Sequence, residues 1–214
     1  MTFQHWLAFA AASAVLVAIP GPTVLLIISY ALGHGRRAAR ATVAGVALGD
    51  FTAMTASMLG LGALLAASAL LFTALKWIGA AYLVYLGVRL FRAAPQALDS
   101  ATGDTTGAAG ATRPWRIFLH AYAVTATNPK SIVFFVAFLP QFLVPSAPIL
   151  PQMALFEATF LVLASTNAVL YGLMAAKARS TIRRPAVQRA VNRVGGTLLI
   201  GAGILTVAWR KAAA

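Results

Sequence analysis

Two acidic side chains stand inside apolar stretches of this chain, where a charge is costly. Only four of the 214 residues are aspartate or glutamate, and two of these, Asp50 and Glu157, fall within long apolar runs. Insertion of an aspartate at the centre of a membrane helix costs about 2.5–3.5 kcal/mol, so such a group faces a cavity or the protein interior. There it can hold a substrate ammonium group, carry a proton, or serve as a structural partner for Lys130 or another polar neighbour.

A second unusual feature is the tripeptide Asn128-Pro129-Lys130 within the apolar stretch AYAVTATNPKSIVFFVAFLPQF, residues 121–142. Proline cannot donate the backbone hydrogen bond that a helix interior needs, whereas asparagine suits an N-cap and proline the first helical position. We therefore interpret the tripeptide as a helix that restarts inside a membrane span. Pro20-Gly21-Pro22 offers the same arrangement earlier in the chain, with glycine as the weaker cap.

Each restart predicts free backbone N–H groups and the positive end of a helix dipole at membrane depth. Such ends bind substrate carboxylates in other transporter folds, and Lys130 would strengthen the attraction for an anion. The alternative is a pair of ordinary proline kinks, which neighbouring helices can satisfy. Because the two interruptions fall at matching places in the chain, we favour a substrate site, with Thr23 as a weaker candidate member.

The composition requires that membrane helices position these residues. Hydrophobic residues make up 60% of the chain, charged residues 10%, and the mean hydropathy is +0.83. Spans of about 20 apolar residues cross a bilayer as helices, and no stretch alternates as a membrane strand would. The N-terminus lacks the features of a cleaved signal, so the first span is expected to be retained. The predicted spans are 5–32, 41–65, 68–91, 116–142, 150–176 and 194–210.

Lysine and arginine predict the orientation of these spans. If both termini lie outside, 13 of the 17 basic residues fall on one side, which is then cytoplasmic. These are Arg36, Arg37, Arg40, Arg89, Arg92, Arg113, Arg116, Lys177, Arg179, Arg183, Arg184, Arg189 and Arg193. The net charge of +13 is confined to these short clusters, so nucleic-acid binding is not expected.

The polar segment 93–114 predicts a flexible cytoplasmic loop that divides a single transmembrane domain into halves of three spans, 1–92 and 115–214. The halves then start on opposite sides of the membrane, as inverted repeats do. The separation from Pro22 to Asp50 is 28 residues, and that from Pro129 to Glu157 is also 28. We therefore predict an all-α integral membrane protein of two inverted three-helix repeats, with the first and fourth helices broken at proline.

The sequence offers no catalytic constellation. It contains no cysteine and only three scattered histidines, and it shows no nucleophile–base pairing, no phosphate-binding glycine loop and no metal-ligand spacing. We therefore expect a protein that is not an enzyme and that has no metal or other cofactor. Transport would have to be driven by an ion gradient rather than by ATP hydrolysis within this chain.

Five motifs together resemble the lysine exporter/homoserine–threonine exporter (LysE/RhtB) family over nearly the whole chain. They are PGP at 20–22, GHGRRAA at 33–39, AGVALGD at 44–50, KWIGAAYLVYLGVRLFRA at 76–93 and TNPKSIVFFVAFLPQF at 127–142. The resemblance implies a bacterial inner-membrane exporter of amino acids or close derivatives that uses the proton motive force. The family's motif residues fall on Pro20, Gly21, Pro22, Gly45, Asp50, Asn128, Pro129 and Lys130.

The predicted function is proton-coupled export of an amino acid, with neutral substrates such as homoserine or threonine favoured over dibasic ones because buried acids are so few. Asp50 and Glu157 are the candidate proton carriers. Two alternatives stay open: a passive channel for small zwitterions and, less favoured, a divalent metal-ion exporter. The expected partners are the substrate, the lipid bilayer and, as an option, further copies of the chain.

Overall fold

The computed structural model describes residues 3–94, 113–144, 146–182 and 184–211, and the regular elements in these ranges are all helical. Most of the predicted loop 93–114 therefore lies outside the described residues. The elements are α1 Phe3–Ala18, α2 Pro22–Ala67, α3 Ala69–Arg92, α4 Pro114–Ala126, α5 Pro129–Phe138, a 3₁₀ turn Leu139–Gln141, α6 Ile149–Leu173, α7 Ala175–Ile182 and α8 Pro185–Lys211.

Three of the described helices, α2, α3 and α6, are long and apolar enough to cross a membrane. A fourth candidate is the pair α4 and α5, which qualifies as one span bent by 42° at its break. The all-α membrane class predicted from the sequence is thereby confirmed. Six crossings and an inverted repeat stay predictions.

Helix α2 changes direction at Gly35, the only described residue with a positive φ (φ 71°, ψ −163°). A continuous helix of 46 residues would be about 69 Å long, more than twice the hydrocarbon thickness of a bilayer. Glycine adopts this backbone conformation without the steric cost of a Cβ atom. Gly35 lies between the segments 5–32 and 41–65 that the sequence predicts as separate spans.

Both predicted helix interruptions are present. Helix α1 ends at Ala18 and α2 begins at Pro22, with Gly21 in an extended conformation as N-cap. Helix α4 ends at Ala126 and α5 begins at Pro129, with Asn128 as N-cap. In each case the proline occupies the first helical position, where its missing N–H has no intrahelical acceptor to lose.

The small residues of α2 bring it close to α4. A Cβ atom on Gly49 would lie 2.7 Å from Cβ of Thr125 and 2.9 Å from the carbonyl oxygen of Tyr122. A Cβ on Gly45 would collide with the carbonyl oxygen of Phe118. Gly45 and Gly49, four residues apart on one face of α2, therefore serve helix packing, as small residues do in membrane proteins. This packing places the neighbouring Asp50 beside the break between α4 and α5.

Apolar clusters pack the described helices around a small pocket, and two of them contribute most of its apolar lining. The larger, which we call the aromatic cluster, includes Phe9, Phe134, Phe135, Phe138, Phe156 and Phe160. The smaller, which we call the aliphatic cluster, consists of Leu26, Ile27, Val46, Ala121 and Ala168. Phe160 of the first cluster and Ile27, Val46 and Ala168 of the second all line the pocket, which therefore lies between them.

Candidate functional site

The pocket collects polar groups from three helices at the level of the two breaks. Its polar lining comes from Gly21 and Thr23 at the start of α2, Asp50 farther along α2, Asn128 and Lys130 at the start of α5, and Asn167 of α6. The segments meet here because α2 packs along both α4 and α6. Five residues predicted from the sequence to bind substrate thus line one pocket.

Asp50 supplies the acidic group of the pocket. It is only 6% exposed, and no described residue donates a hydrogen bond to its carboxylate in the structure. Lys130 lines the same pocket, and no ion pair joins the two side chains. A buried carboxylate without a donor has a strong tendency to bind a cation or a proton.

Lys130 supplies the cationic group, and it also binds the end of α1. Its Nζ donates hydrogen bonds to the carbonyl oxygens of Leu16 at 3.0 Å and Ile19 at 2.9 Å. The side chain passes over Gly21, where a Cβ atom would lie 3.6 Å from Cδ of Lys130. An ammonium group has three N–H donors, so one stays available to a ligand in the pocket.

Asn128 links the two helix breaks. Its Oδ1 accepts a hydrogen bond from the backbone N–H of Lys130 at 3.0 Å, and its Nδ2 donates to Oγ1 of Thr23 at 3.2 Å. The first contact caps α5, and the second ties the start of α5 to the start of α2. Asn128 is therefore both the predicted cap and a cross-link between the two interruptions.

The prediction of free backbone N–H groups holds at α2 and is wrong at α5. The N–H groups of Ser131 and Ile132 donate to the backbone carbonyl of Asn128, each at 3.1 Å, and that of Lys130 is bound by the Asn128 side chain. At α2, by contrast, no described oxygen accepts from the N–H groups of Thr23 and Val24. The N–H of Thr23 lacks a described acceptor because glycine, unlike asparagine, has no side chain with which to cap α2.

Glu157, the second predicted proton carrier, lies outside the pocket. Its carboxylate accepts a hydrogen bond from Oγ1 of Thr55 on α2. Phe160, one turn farther along α6, lines the pocket and belongs to the aromatic cluster. The equal sequence spacings of Asp50 and Glu157 from their prolines therefore do not give the two acids equal surroundings.

The prolines predicted at the site act through the backbone. Pro22 and Pro129 begin α2 and α5, and Pro20 lies in the interruption after α1. None of the three lines the pocket. Their contribution is to end one helix and start the next, which determines where the polar side chains stand.

Sequence reasoning missed Tyr171 and left Asn167 without a role. The Asn167 amide donates to the carbonyl oxygen of Val17 at 2.9 Å, and the Tyr171 hydroxyl donates to that of Ala18 at 3.0 Å. The only signal was the presence of two polar side chains four residues apart in an apolar helix, which places them on one face. Which carbonyls they bind depends on the packing of α6 against α1.

Helices of this length around a polar pocket with one buried acid and one lysine define a membrane protein suited to moving small charged solutes. The family model described as LysE type translocator matches residues 14–208, so the chain belongs to the LysE family. Members of this family are efflux transporters and not enzymes, in agreement with the prediction that this chain is not an enzyme.

Two of the similar proteins are named for efflux, and a third is named only as a membrane protein. A homoserine/homoserine lactone efflux protein of Salmonella typhimurium is 36% identical over 212 residues, covering 99% of this chain and 100% of the relative. A membrane protein of Vibrio cholerae is 34% identical over 206 residues, 96% and 97% of the two chains. A leucine efflux protein of Salmonella choleraesuis is 32% identical over 133 residues, 62% and 60% of the two chains. No solved structure matches the chain significantly.

Proposed function

We propose that this protein exports a small neutral amino acid, of the homoserine or threonine type, across the bacterial inner membrane in exchange for protons. The observation that carries the proposal is that Asp50, Lys130 and the uncapped start of α2 line the same small pocket. An amino acid presents an ammonium and a carboxylate group on one carbon atom. The pocket offers partners of the right sign for both.

The substrate carboxylate would bind between α2 and Lys130. The backbone N–H groups of Thr23 and Val24 have no described acceptor, and the positive end of the α2 dipole favours an anion there. The third N–H of the Lys130 ammonium group completes the site. The start of α5 contributes this lysine rather than free N–H groups, since Asn128 already caps that helix.

The substrate ammonium group would bind Asp50. Ion pairing and hydrogen bonding are what make a charged group tolerable in a buried site. A zwitterion between Asp50 and Lys130 gives each of these groups a partner of opposite charge. Because the pocket holds a single acid, it can neutralise one ammonium group, which favours neutral over dibasic amino acids.

The rest of the pocket suits a short side chain. Ile27, Val46 and Phe160 provide apolar walls, and the hydroxyl of Thr23 adds a polar contact near the helix break. Two relatives are named for efflux of homoserine or leucine, which are both neutral amino acids. We therefore assign a compact neutral substrate, with a hydroxyl group on the side chain favoured by Thr23.

Exchange for a proton follows from the same carboxylate. After the substrate leaves on the outer side, a proton on Asp50 can take the place of the substrate ammonium, so that the carboxylate does not return without a partner. The Lys130 ammonium keeps its hydrogen bonds to the carbonyls of Leu16 and Ile19 in that step. Glu157, hydrogen-bonded to Thr55 beyond the aromatic cluster, would receive protons on the outer path. The proton motive force then drives export.

For the topology we propose six crossings in two inverted halves. The break after α1, the turn at Gly35 and the bent pair of α4 and α5 would divide the described helices into the predicted spans. Both termini would lie outside, with the basic clusters and the segment 93–114 in the cytoplasm. The two broken helices would then meet from opposite sides of the membrane, as in other transporters with inverted repeats.

The test is transport by purified protein in proteoliposomes with radiolabelled L-homoserine and an imposed pH gradient. The wild type should show saturable transport that depends on the gradient, and Asp50→Asn should reduce it by at least about 100-fold, as expected when a buried charge pair is broken. Asp99→Asn, which removes an acid from the segment 93–114, is the control and should transport normally. Non-saturable flux that ignores the gradient would instead establish a passive channel.

A further inference from the structure

The last carbonyl groups of α1 are bound by side chains from the second half of the chain. The consecutive carbonyl oxygens of residues 16–19 each accept a side-chain hydrogen bond. Lys130 binds the first and the last of them, Asn167 the second and Tyr171 the third. A helix end normally leaves its final carbonyls without intrahelical partners, and such groups require partners at membrane depth.

These four contacts come from two helices, α5 and α6. Asn167 and Tyr171 project from the same face of α6, four residues apart, and hold the two central carbonyls at 2.9 and 3.0 Å. Lys130 reaches from α5 to the two outer carbonyls. Each peptide group is planar, and the hydrogen bonds of a helical turn restrict φ and ψ, so holding the two central carbonyls limits how far the outer pair can reorient.

We infer that Asn167 and Tyr171 are positioning residues that direct the ammonium group of Lys130 toward the substrate carboxylate. They act through the end of α1, whose carbonyls take two of the three N–H groups of Lys130 and leave the third for the pocket. The inference rests on the proposed function, in which Lys130 binds the carboxylate. It adds that the affinity for substrate depends on two side chains bonded to the α1 backbone.

Removing the Tyr171 hydroxyl isolates this effect. Tyr171→Phe keeps the ring, which packs beside the aliphatic cluster, and deletes only the hydrogen bond to Ala18. The end of α1 then has one carbonyl without a partner and adopts a wider range of orientations. The two contacts of Lys130 to Leu16 and Ile19 loosen with it, and the ammonium group is less often directed to the substrate.

The experiment compares KM and maximal rate for L-homoserine in proteoliposomes containing wild type, Y171F, N167A, K130M and the double variant K130M/Y171F. Y171F and N167A should each raise KM by about 3- to 10-fold, the effect of one net hydrogen bond. K130M should raise KM further. In the K130M background Y171F should have no additional effect on KM, because the group that it positions is gone.

The control is Tyr30→Phe, which deletes a hydroxyl bonded to Nδ1 of His120 at 2.8 Å, outside the pocket. It should leave KM unchanged. A purely structural role of Tyr171 would lower the amount of folded protein, and hence the maximal rate, without raising KM. If K130M fails to insert in the membrane, K130Q replaces it in the double variant, since glutamine retains donors for the α1 carbonyls but has no charge with which to bind the carboxylate. Y171F should then raise KM by a smaller factor than it does in the wild type.

Two results would overturn the inference, and they differ from failure of the proposed function. Either Y171F and N167A leave KM at the wild-type value, or Y171F raises KM by the same factor with and without Lys130. If K130M itself leaves KM unchanged, Lys130 does not bind the substrate, and both the carboxylate site and its positioning are refuted together.

Discussion

Replacing Gly49 by alanine tests the close approach of α2 to α4 that places Asp50 in the pocket. The added Cβ would lie 2.7 Å from Cβ of Thr125, 2.9 Å from the carbonyl oxygen of Tyr122 and 3.0 Å from the backbone nitrogen of Ala126. Two of these atoms belong to the α4 backbone, so the helices must separate to make room. We expect a destabilisation of about 1–3 kcal/mol from overpacking.

The matched control is Gly60→Ala on the same helix, where an added Cβ would meet no atom within 4 Å. Alanine is favoured over glycine in a helix interior by about 1 kcal/mol, and both variants receive this gain. The difference between them therefore reports the packing alone. An expected difference of about 2 kcal/mol corresponds to a melting temperature roughly 4–8 °C lower for Gly49→Ala than for Gly60→Ala.

The assay is thermal denaturation of detergent-solubilised protein followed by size-exclusion chromatography, together with L-homoserine transport at a temperature where both variants are folded. Gly49→Ala should also reduce transport, since a shift of α4 moves Asp50 relative to Asn128 and Lys130. Equal melting temperatures for the two alanine variants would refute the close packing of α2 on α4. Normal transport by a destabilised Gly49→Ala variant would show that the pocket does not depend on the close packing of α2 on α4.

Two further predictions concern the helix break and the second acid. Asn128→Ala removes the cap of α5 and the hydrogen bond to Thr23, so we expect a loss of about 1–2 kcal/mol in stability, measured by denaturation, and a higher KM for L-homoserine. The control is Thr127→Ala. The Thr127 hydroxyl binds a carbonyl of its own helix, so this variant should change neither quantity. Glu157→Gln should leave KM for L-homoserine unchanged, since this residue lies outside the pocket, and should lower the rate of pH-driven exchange. An increase of KM in Glu157→Gln would place that acid in the binding site instead.

The structure changes how the two helix breaks are understood. The breaks resemble one another in sequence, yet they supply different groups to the pocket. The start of α2 offers backbone N–H groups, whereas α5 is capped by Asn128 and offers a lysine side chain. The end of α1 is in turn bound by this lysine. The pocket therefore offers two kinds of donor, the backbone N–H groups of α2 and the ammonium group of Lys130.

The helical class and the breaks could be predicted from the sequence because their causes are local. Apolar runs of this length have no other favourable arrangement in a membrane, and a proline that follows a capping residue favours the first position of a new helix. Gly21 and Asn128 precede such prolines, and both are the observed N-caps. The close approach of α2 to α4 at Gly45 and Gly49 also has a local cause, since only small residues allow two backbones to approach closely.

What only the tertiary structure decided is which groups meet. The spacing of Asp50 and Glu157 suggested equivalent acids, but α6 packs so that Glu157 binds Thr55 and lies apart from the pocket. The binding of the α1 carbonyls by Lys130, Asn167 and Tyr171 joins residues more than 100 positions apart. The last carbonyl groups of a helix need hydrogen-bond donors from elsewhere, because they have no partner within the helix. The packing of the other helices determines which side chains provide these donors.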